Sequence, residues 1–372
     1  MGAAAIFLLH CAEKHAIILP VKGGLGLQYI SYVLLLLRSV LRGWASLPRA
    51  IGMAFKSGGL FRWLGLTFTG FRYHQKSLPA YTKGLPGDKI HFLNTGNSDA
   101  ILLESCGRFA LVDAGEDSDY PAKKRFLAYP GYEDYVVDYV KRAAGGTLEF
   151  VMGTHAHSDH IGGFDTLILD PDITIGKAYL KPYDGARMRG YERVYWDNEE
   201  VHGQMAAALA ARGVPWVQDI PAEAFTLGNF RIRFFNRGHR PSGDTNDESI
   251  GTLIERGGRR AFLAGDINNI SGAERELAES VGPVDLLKAG HHGHEGSSTL
   301  AIVTGLRPET VVFARKGKAF FTVCMRFLCT GAGRLLGTGM LGGAVAVFHD
   351  GKIKYYAINE FPQPIAPKAY EV

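Results

Sequence analysis

His155, His157, Asp159 and His160 crowd into six consecutive positions of "THAHSDHIGG" (154–163), directly after the apolar run "LEFVMG". In extended backbone His155 and His157 point to one side, and Asp159 with His160 reaches a second point a few ångströms on. Imidazole nitrogen with a little carboxylate suits Zn²⁺, with Mn²⁺ or Fe as further candidates. Three histidines and an aspartate exceed what one catalytic zinc takes from a single loop. The excess points to two metals sharing a bridging ligand, with Asp266 as the natural bridge. A merely polar loop is the alternative, and the complete HxHxDH followed by Gly-Gly weighs against it.

Each polar cluster follows an apolar run. Asp113 follows "FALV", the histidine cluster follows "EFVM", Asp266 follows "AFLAG", and His291 and His292 follow "DLLKAG". Ends of several strands converging at one rim of a sheet would bring these residues together. "KIHFLN", "AILLES" and "RFALVD" read as a meander of short strands. "LEFVMG", "AYLKPY", "RIRFFN", "GTLIERGGRRAFLAGD" and "PVDLLKAG" add further strands. "YEDYVVDYVKRA" (132–143), "IGGFDTLIL", "NEEVHGQMAAALAARG" (198–213) and "GAERELAES" read as helices. The fold class is α/β or α+β, with both hairpin and crossover connections.

"LVDAG", HxHxDH, "LAGD" and "KAGHHG", in that order, resemble the metallo-β-lactamase superfamily over roughly residues 88–315. "IHFLNTGNSDAILLESCGRFALVDAGEDSDYP", "YLKPY", "WDN" and "AGDINNISGAE" resemble its phosphorylcholine esterase branch, and "HHGHEGSS" resembles the hydrolase domain of the ComEC competence channel. The resemblance implies a four-layer αββα sandwich with a binuclear zinc site at one edge. It implies that His155 and His157 hold one zinc, that Asp159, His160 and His292 hold the other, and that Asp266 bridges. His291 would contact substrate phosphate or act as an acid, and Asp113 would orient the histidine loop. The implied reaction is hydrolysis of a phosphate ester by a zinc-bound hydroxide, with Asp159 and Asp266 orienting the nucleophile. The first substrate class is a phosphodiester of the phosphorylcholine type. A ComEC-like nuclease, or a non-catalytic membrane-associated binding protein on the same fold, is the alternative. Many superfamily members carry a further histidine between the HxHxDH loop and the bridging aspartate. Here that region offers only His202, on a helix, and His239 in "RGHRPSGD", and neither context fits.

Weaker candidates surround this set. Asn246, Asp247 and Ser249 in "NDESI" would hydrogen-bond a phosphate or simply form a turn. Tyr191, Tyr195 and Trp196 in "YERVYWDN" would box a quaternary ammonium or pack in a loop. Cys324 and Cys329 read as small buried hydrophobes.

The 372 residues divide by charge. Residues 1–87 hold ten Lys/Arg and a single acid, a net +9, against −5 for 88–372. Negative charge on the catalytic part disfavours duplex nucleic acid, although the basic segment would attract it. "YISYVLLLLRSVLRGW" (29–44) has the composition of a basic amphipathic helix lying on an anionic membrane. Its uncharged run, Gly23 to Leu37, is short of the ~20 residues that span a bilayer. The chain therefore reads as a basic, apolar extension (1–87), membrane-associated or at the cell envelope, followed by a hydrolase domain (88–372).

Overall fold

The computed structural model describes residues 25–57 and 77–370. Its centre is two packed sheets. The first orders its strands Lys352–Ala357, Ala344–His349, Asp88–Phe92, Ala100–Ser105, Arg108–Ala114, Phe150–Met152, Ala178–Tyr179, Trp216–Val217. The second runs Phe225–Leu227, Phe230–Phe235, Gly251–Arg256, Arg259–Leu263, Leu286–Lys288, Thr310–Phe313, Arg334–Gly337. Alternation along these strands explains the layering. Ile90, Phe92, Ile101 and Leu103 face Phe230, Ile232, Phe234 and Ile254 across the interior. Leu102, Leu111 and Val151 point outward to the helices Glu133–Ala144, Phe164–Leu169 and Asn198–Arg212. On the second sheet, Leu253, Phe262 and Leu287 turn outward to Ala273–Val281, Leu300–Leu306 and Phe321–Cys329. This is the four-layer αββα sandwich that the motifs imply.

Several helices end on a left-handed glycine. Asn198–Arg212 stops at Gly213, whose φ of 64° lets it close the last turn where a side chain would be strained. Within the first sheet, Arg108–Ala114 and Phe150–Met152 run parallel; within the second, Arg259–Leu263 and Leu286–Lys288 do. Their C-terminal ends open at one rim, and that rim carries the polar clusters.

Two boundaries differ from the expected ones. Tyr81 N–H donates to Ala357 O, and Ala357 N–H donates to Pro79 O, so the sandwich takes up the chain before Asp88. The basic extension contains the helix Leu25–Ser57, which packs on the sandwich: Ala50 and Ala54 are fully buried against Met325 and Cys329. Cys324 and Cys329 are both buried, as expected.

Candidate metal centre

Asp113 closes its strand with a φ of 57°. Its carboxylate accepts from Thr154 N–H (2.7 Å) and from the Thr154 hydroxyl (2.8 Å), which pins the start of the histidine loop. His160, on the short helix Ser158–Ile161, turns Nδ1 to Asp113 Oδ2 at 2.7 Å. Its Nε2 faces Asp266 Oδ1 at 3.2 Å.

His155 Nδ1 lies 3.1 Å from both Thr154 Oγ1 and Ser249 Oγ. The Thr154 hydroxyl already donates to Asp113, and the Ser249 hydroxyl donates to Asn246 O at 2.8 Å. Both oxygens are therefore acceptors toward the ring, so the proton of His155 sits on Nδ1 and its Nε2 lone pair is free. That Nε2 points at His157 Nδ1, 3.0 Å away. The other nitrogen of His157 faces the buried Glu192 carboxylate at 3.9 Å. Two ring nitrogens brought together at this distance, one of them offering a free lone pair, suit a cation.

A second set lies beside the first. His292 Nε2 is 3.2 Å from Asp159 Oδ2 and 3.2 Å from Asp266 Oδ2, while its Nδ1 is 3.2 Å from Asp99 Oδ1. Asp99, His160, Asp266 and His292 each offer an atom within 4.8 Å of the others. Asp99 is paired with the buried Lys288 and sits on the Nδ1 side of His292, so it orients the ring as Asp113 orients His160. Asp159 faces the Nε2 side and is the better ligand. Lys288 Nζ also donates to Gly265 O (2.9 Å) and lies 3.4 Å from Asp266 Oδ1.

The donor set fits two divalent cations. His160 Nε2 is fully buried and faces only carboxylates, those of Asp266 at 3.2 Å and Asp159 at 3.9 Å. Four carboxylates, the buried Asp99, Asp113 and Asp266 and the half-buried Asp159, share one lysine, an excess of negative charge that buried surroundings do not tolerate uncompensated. The ring nitrogens register that excess. Burial lowers His292, but Asp266 and Asp99 outweigh it and push it up to about 10. His160 is likewise lifted well above its usual value, with burial outweighed by Asp266, Asp113 and Asp159. His155, by contrast, is held well below its usual value by burial and by His160 and His157.

The expected ligand residues His155, His157, Asp159, His160, Asp266 and His292 thus come together, with Asp113 behind them. His291 and His292 both adopt left-handed backbone (φ 48° each), which sends the rings apart. His291 stays about one-third exposed, its Nε2 3.9 Å from Asp266 Oδ2. Other expectations need correction. Ser249 is fully buried behind His155 and accepts from Asp266 N–H at 3.0 Å, so its hydroxyl positions ligands and does not face a substrate. Asn246 serves the same turn through its carbonyl, accepting from Ser249 N–H at 3.1 Å. Asp247 is likewise buried in the turn. Trp196 and Tyr191 lie in one aromatic cluster with a residue of the N-terminal helix. Tyr32 packs on both at centroid distances of 5.2 and 5.3 Å, and Tyr191 lies 6.3 Å from Trp196. The Tyr191 hydroxyl donates to Asp244. His202 contacts Lys181 O, and His239 contacts Glu248 at 3.1 Å, so neither joins the cluster.

Asp99, Lys288 and Glu192 were not anticipated. Asp99 precedes the strand Ala100–Ser105 in what reads as a turn, and Lys288 looks like an ordinary strand-end charge. One signal was available: Asp99, like the other site residues, sits at a strand boundary.

Comparison with known proteins agrees with the geometry. Residues 93–315 match the family described as Metallo-beta-lactamase superfamily. "Recombination protein 2" of Haemophilus influenzae is 22% identical over 250 residues, covering 67% of this chain and 26% of that protein. "Competence protein ComA" of Neisseria gonorrhoeae is 22% identical over 269 residues, covering 72% and 31%. The chain thus spans less than a third of the length of these relatives. Among solved structures, the metallo-beta-lactamase fold protein YhfI from Bacillus subtilis is 14% identical, with a TM-score of 0.42 over 68% of this chain and 96% of that one.

Proposed function

The chain belongs to the metallo-β-lactamase superfamily, and from that membership we propose that it hydrolyses phosphodiesters at a two-metal centre. The observation that carries the reading is the paired donor set. His155 Nε2 and His157 Nδ1 converge at 3.0 Å, Asp159, His160, Asp266 and His292 surround a second point, and His291 is left over at the mouth. Divalent cations bound there would neutralise the phosphate oxygens and lower the pKa of water toward about 7.

The chain's own residues do the rest. Asp113, Asp99 and Ser249 fix the ring orientations, so the ligand set is formed before substrate arrives. Lys288 holds Asp266 and Asp99 in place from behind. Burial pushes His291 down to about 4, so its neutral ring, within reach of a substrate lying over Asp266, can take the proton the attacking water gives up and pass it to the departing oxygen. Water adds to phosphorus, the bond to the leaving oxygen breaks, and the products are a phosphomonoester and an alcohol. The substrate we favour is a small diester of the phosphorylcholine type. A nucleic acid is the second reading, favoured by the likeness to proteins named for competence and recombination.

Protein purified without chelator should hold about two transition-metal ions and cleave p-nitrophenyl-phosphorylcholine or bis-p-nitrophenyl phosphate. Single-stranded DNA serves as the competing substrate. His292→Ala should lose about one metal; His291→Ala should keep both and lose roughly 10²- to 10⁴-fold in turnover. Below half an equivalent of metal, the two-metal reading fails. Cleavage of DNA alone would select the second reading.

A further inference from the structure

The helix Leu25–Ser57 carries no acidic residue, and its exposed positions form rows. Leu34, Leu41, Pro48 and Phe55 recur every seven residues and are all exposed, Leu41 and Phe55 by 67% each. Arg42, Arg49 and Lys56 form the adjoining row with the same spacing, and Arg38 lies one turn before Arg42; all four are exposed. The opposite side is the docking seam. Gly43, Leu47, Ala50 and Ala54 follow the three-and-four spacing of one face. A Cβ on Gly43 would stand 2.0 Å from Glu295 Oε2, so helix and loop touch backbone to side chain there. Ala50 and Ala54 seal against Met325 and Cys329.

We infer that this helix lies flat in the interface of an anionic bilayer, with its outer face in the lipid and the hydrolase seated behind it. By length and composition alone, Ile30–Lys56 would also be able to cross a membrane. Its contacts argue otherwise. They begin at Gln28 on Gly190, continue through Tyr32 on Tyr191, Ser39 on Gly296 and Ser46 on Arg326, and end at Ala54. At 1.5 Å per residue that is roughly 40 Å of helix lined on one side by the sandwich. A helix so covered cannot thread hydrocarbon, and two mid-helix arginines would oppose the attempt. A second copy of the chain is an equally poor occupant. Two such faces together would oppose eight cations with no acid between them. An anionic lipid surface meets both rows, apolar and basic.

The helix also bridges the two loops that flank the metal cluster. One runs through the short helix Gly190–Tyr195, which carries Tyr191; the other, Glu295 and Gly296, follows His291 and His292. A docked helix therefore brings the mouth of the site near the lipid headgroups.

The test uses the full chain and vesicles of phosphatidylcholine with or without phosphatidylglycerol. Wild-type protein should float with the anionic vesicles and be released by alkaline carbonate. Leu34→Glu/Leu41→Glu/Phe55→Glu should lower the bound fraction at least tenfold. Arg38→Gln/Arg42→Gln/Arg49→Gln/Lys56→Gln should lower it by roughly several hundredfold, at roughly fivefold per charge. Residues 1–24 and 58–76 are also apolar and basic, so the substitutions stay within the helix. Metal content should be unchanged in both variants, which separates lost docking from lost folding and from failure of the catalytic reading. Binding that survives both variants, resistance to carbonate, or a shift from dimer to monomer in sedimentation velocity would each overturn the inference.

Discussion

The position of single protons decides what this cluster can bind. Thr154 and Ser249 spend their hydroxyl hydrogens elsewhere, which forces His155 to carry its proton on Nδ1 and to offer Nε2. Asp113 does the same for His160, and Asp99 for His292. Asp99 has a second duty, because it pairs with Lys288, which is fully buried. Replacing it separates the two duties. Asp99→Asn should weaken metal binding by about 10- to 100-fold, as loss of a carboxylate behind a ligand histidine does. It should also cost stability, at most about 3–5 kcal/mol, because the buried lysine loses its nearest partner and keeps only Asp266 at 3.4 Å and the Gly265 carbonyl. Adding Lys288→Met should restore much of the stability and none of the metal affinity. Chelator competition and chemical denaturation of the two variants check this. Equal recovery of both quantities would show that Asp99 acts only through Lys288.

At the scale of elements, the site depends on parts that contribute no ligand. The loop after His291 and His292 is clamped by two buried charges from different helices. Arg326, on Phe321–Cys329, donates to Ser298 O (2.8 Å) and Ser297 O (3.1 Å) and pairs with Glu295 at 3.3 Å. Glu274, on Ala273–Val281, accepts from Thr299 N–H at 3.0 Å and from Ser298 N–H. Without this clamp the left-handed backbone at His291, His292 and Ser298 loses much of what holds the far side of the loop. Arg326→Met should therefore cost about 3–5 kcal/mol by orphaning Glu295. It should also loosen the metal held by His292 while leaving the His155–His157 pair intact. Thermal unfolding and metal counting together test this; full metal content at unchanged affinity would show that the loop holds itself. No sequence pattern announced the clamp. The strands that carry Asp113, the histidine loop and Asp266 were legible because each is a short apolar run ending in a polar residue. The stretch 298–342 was not. Arg326 in "FTVCMRFLC" looks like a surface charge on an apolar helix, and its partners lie about thirty residues away. Ser249 was read as a substrate contact because its neighbours are polar, while its burial comes only from the packing of strand Gly251–Arg256 beneath the site. Glu192 and Lys288 escaped notice for the same reason, since their contacts to the site come from distant segments.

For the whole molecule, the question is how far the sandwich stands without what precedes it. All ligands, both sheets and the three buried clusters between and outside the sheets lie after residue 77. The helix Leu25–Ser57 adds a separate small cluster, in which Ala50, Ala54, Leu47 and Ile51 cover Met325, Cys329 and Leu300. Uncovering those three side chains costs about 2–4 kcal/mol, at roughly 1.5–3 kcal/mol for each fully exposed side chain and less for partial exposure. On a domain of this size that is about 5–10 °C in Tm. A chain beginning at Ser77 should thus remain folded, metal-loaded and active on a soluble ester, and unfold about that much lower. Where the cut falls matters. Starting at Asp88 also removes Leu78, which packs on the inter-sheet core, and the two backbone hydrogen bonds between residues 79–81 and Ala357. The edge strand Lys352–Ala357 then loses its cover, so the shorter chain should unfold below the one from Ser77 and aggregate more readily through the open edge. Calorimetry on the three lengths, with metal analysis of each, gives the order. If the chain from Ser77 fails to fold, the helix belongs to the core of the hydrolase, and the charge division at residue 87 does not mark a structural boundary.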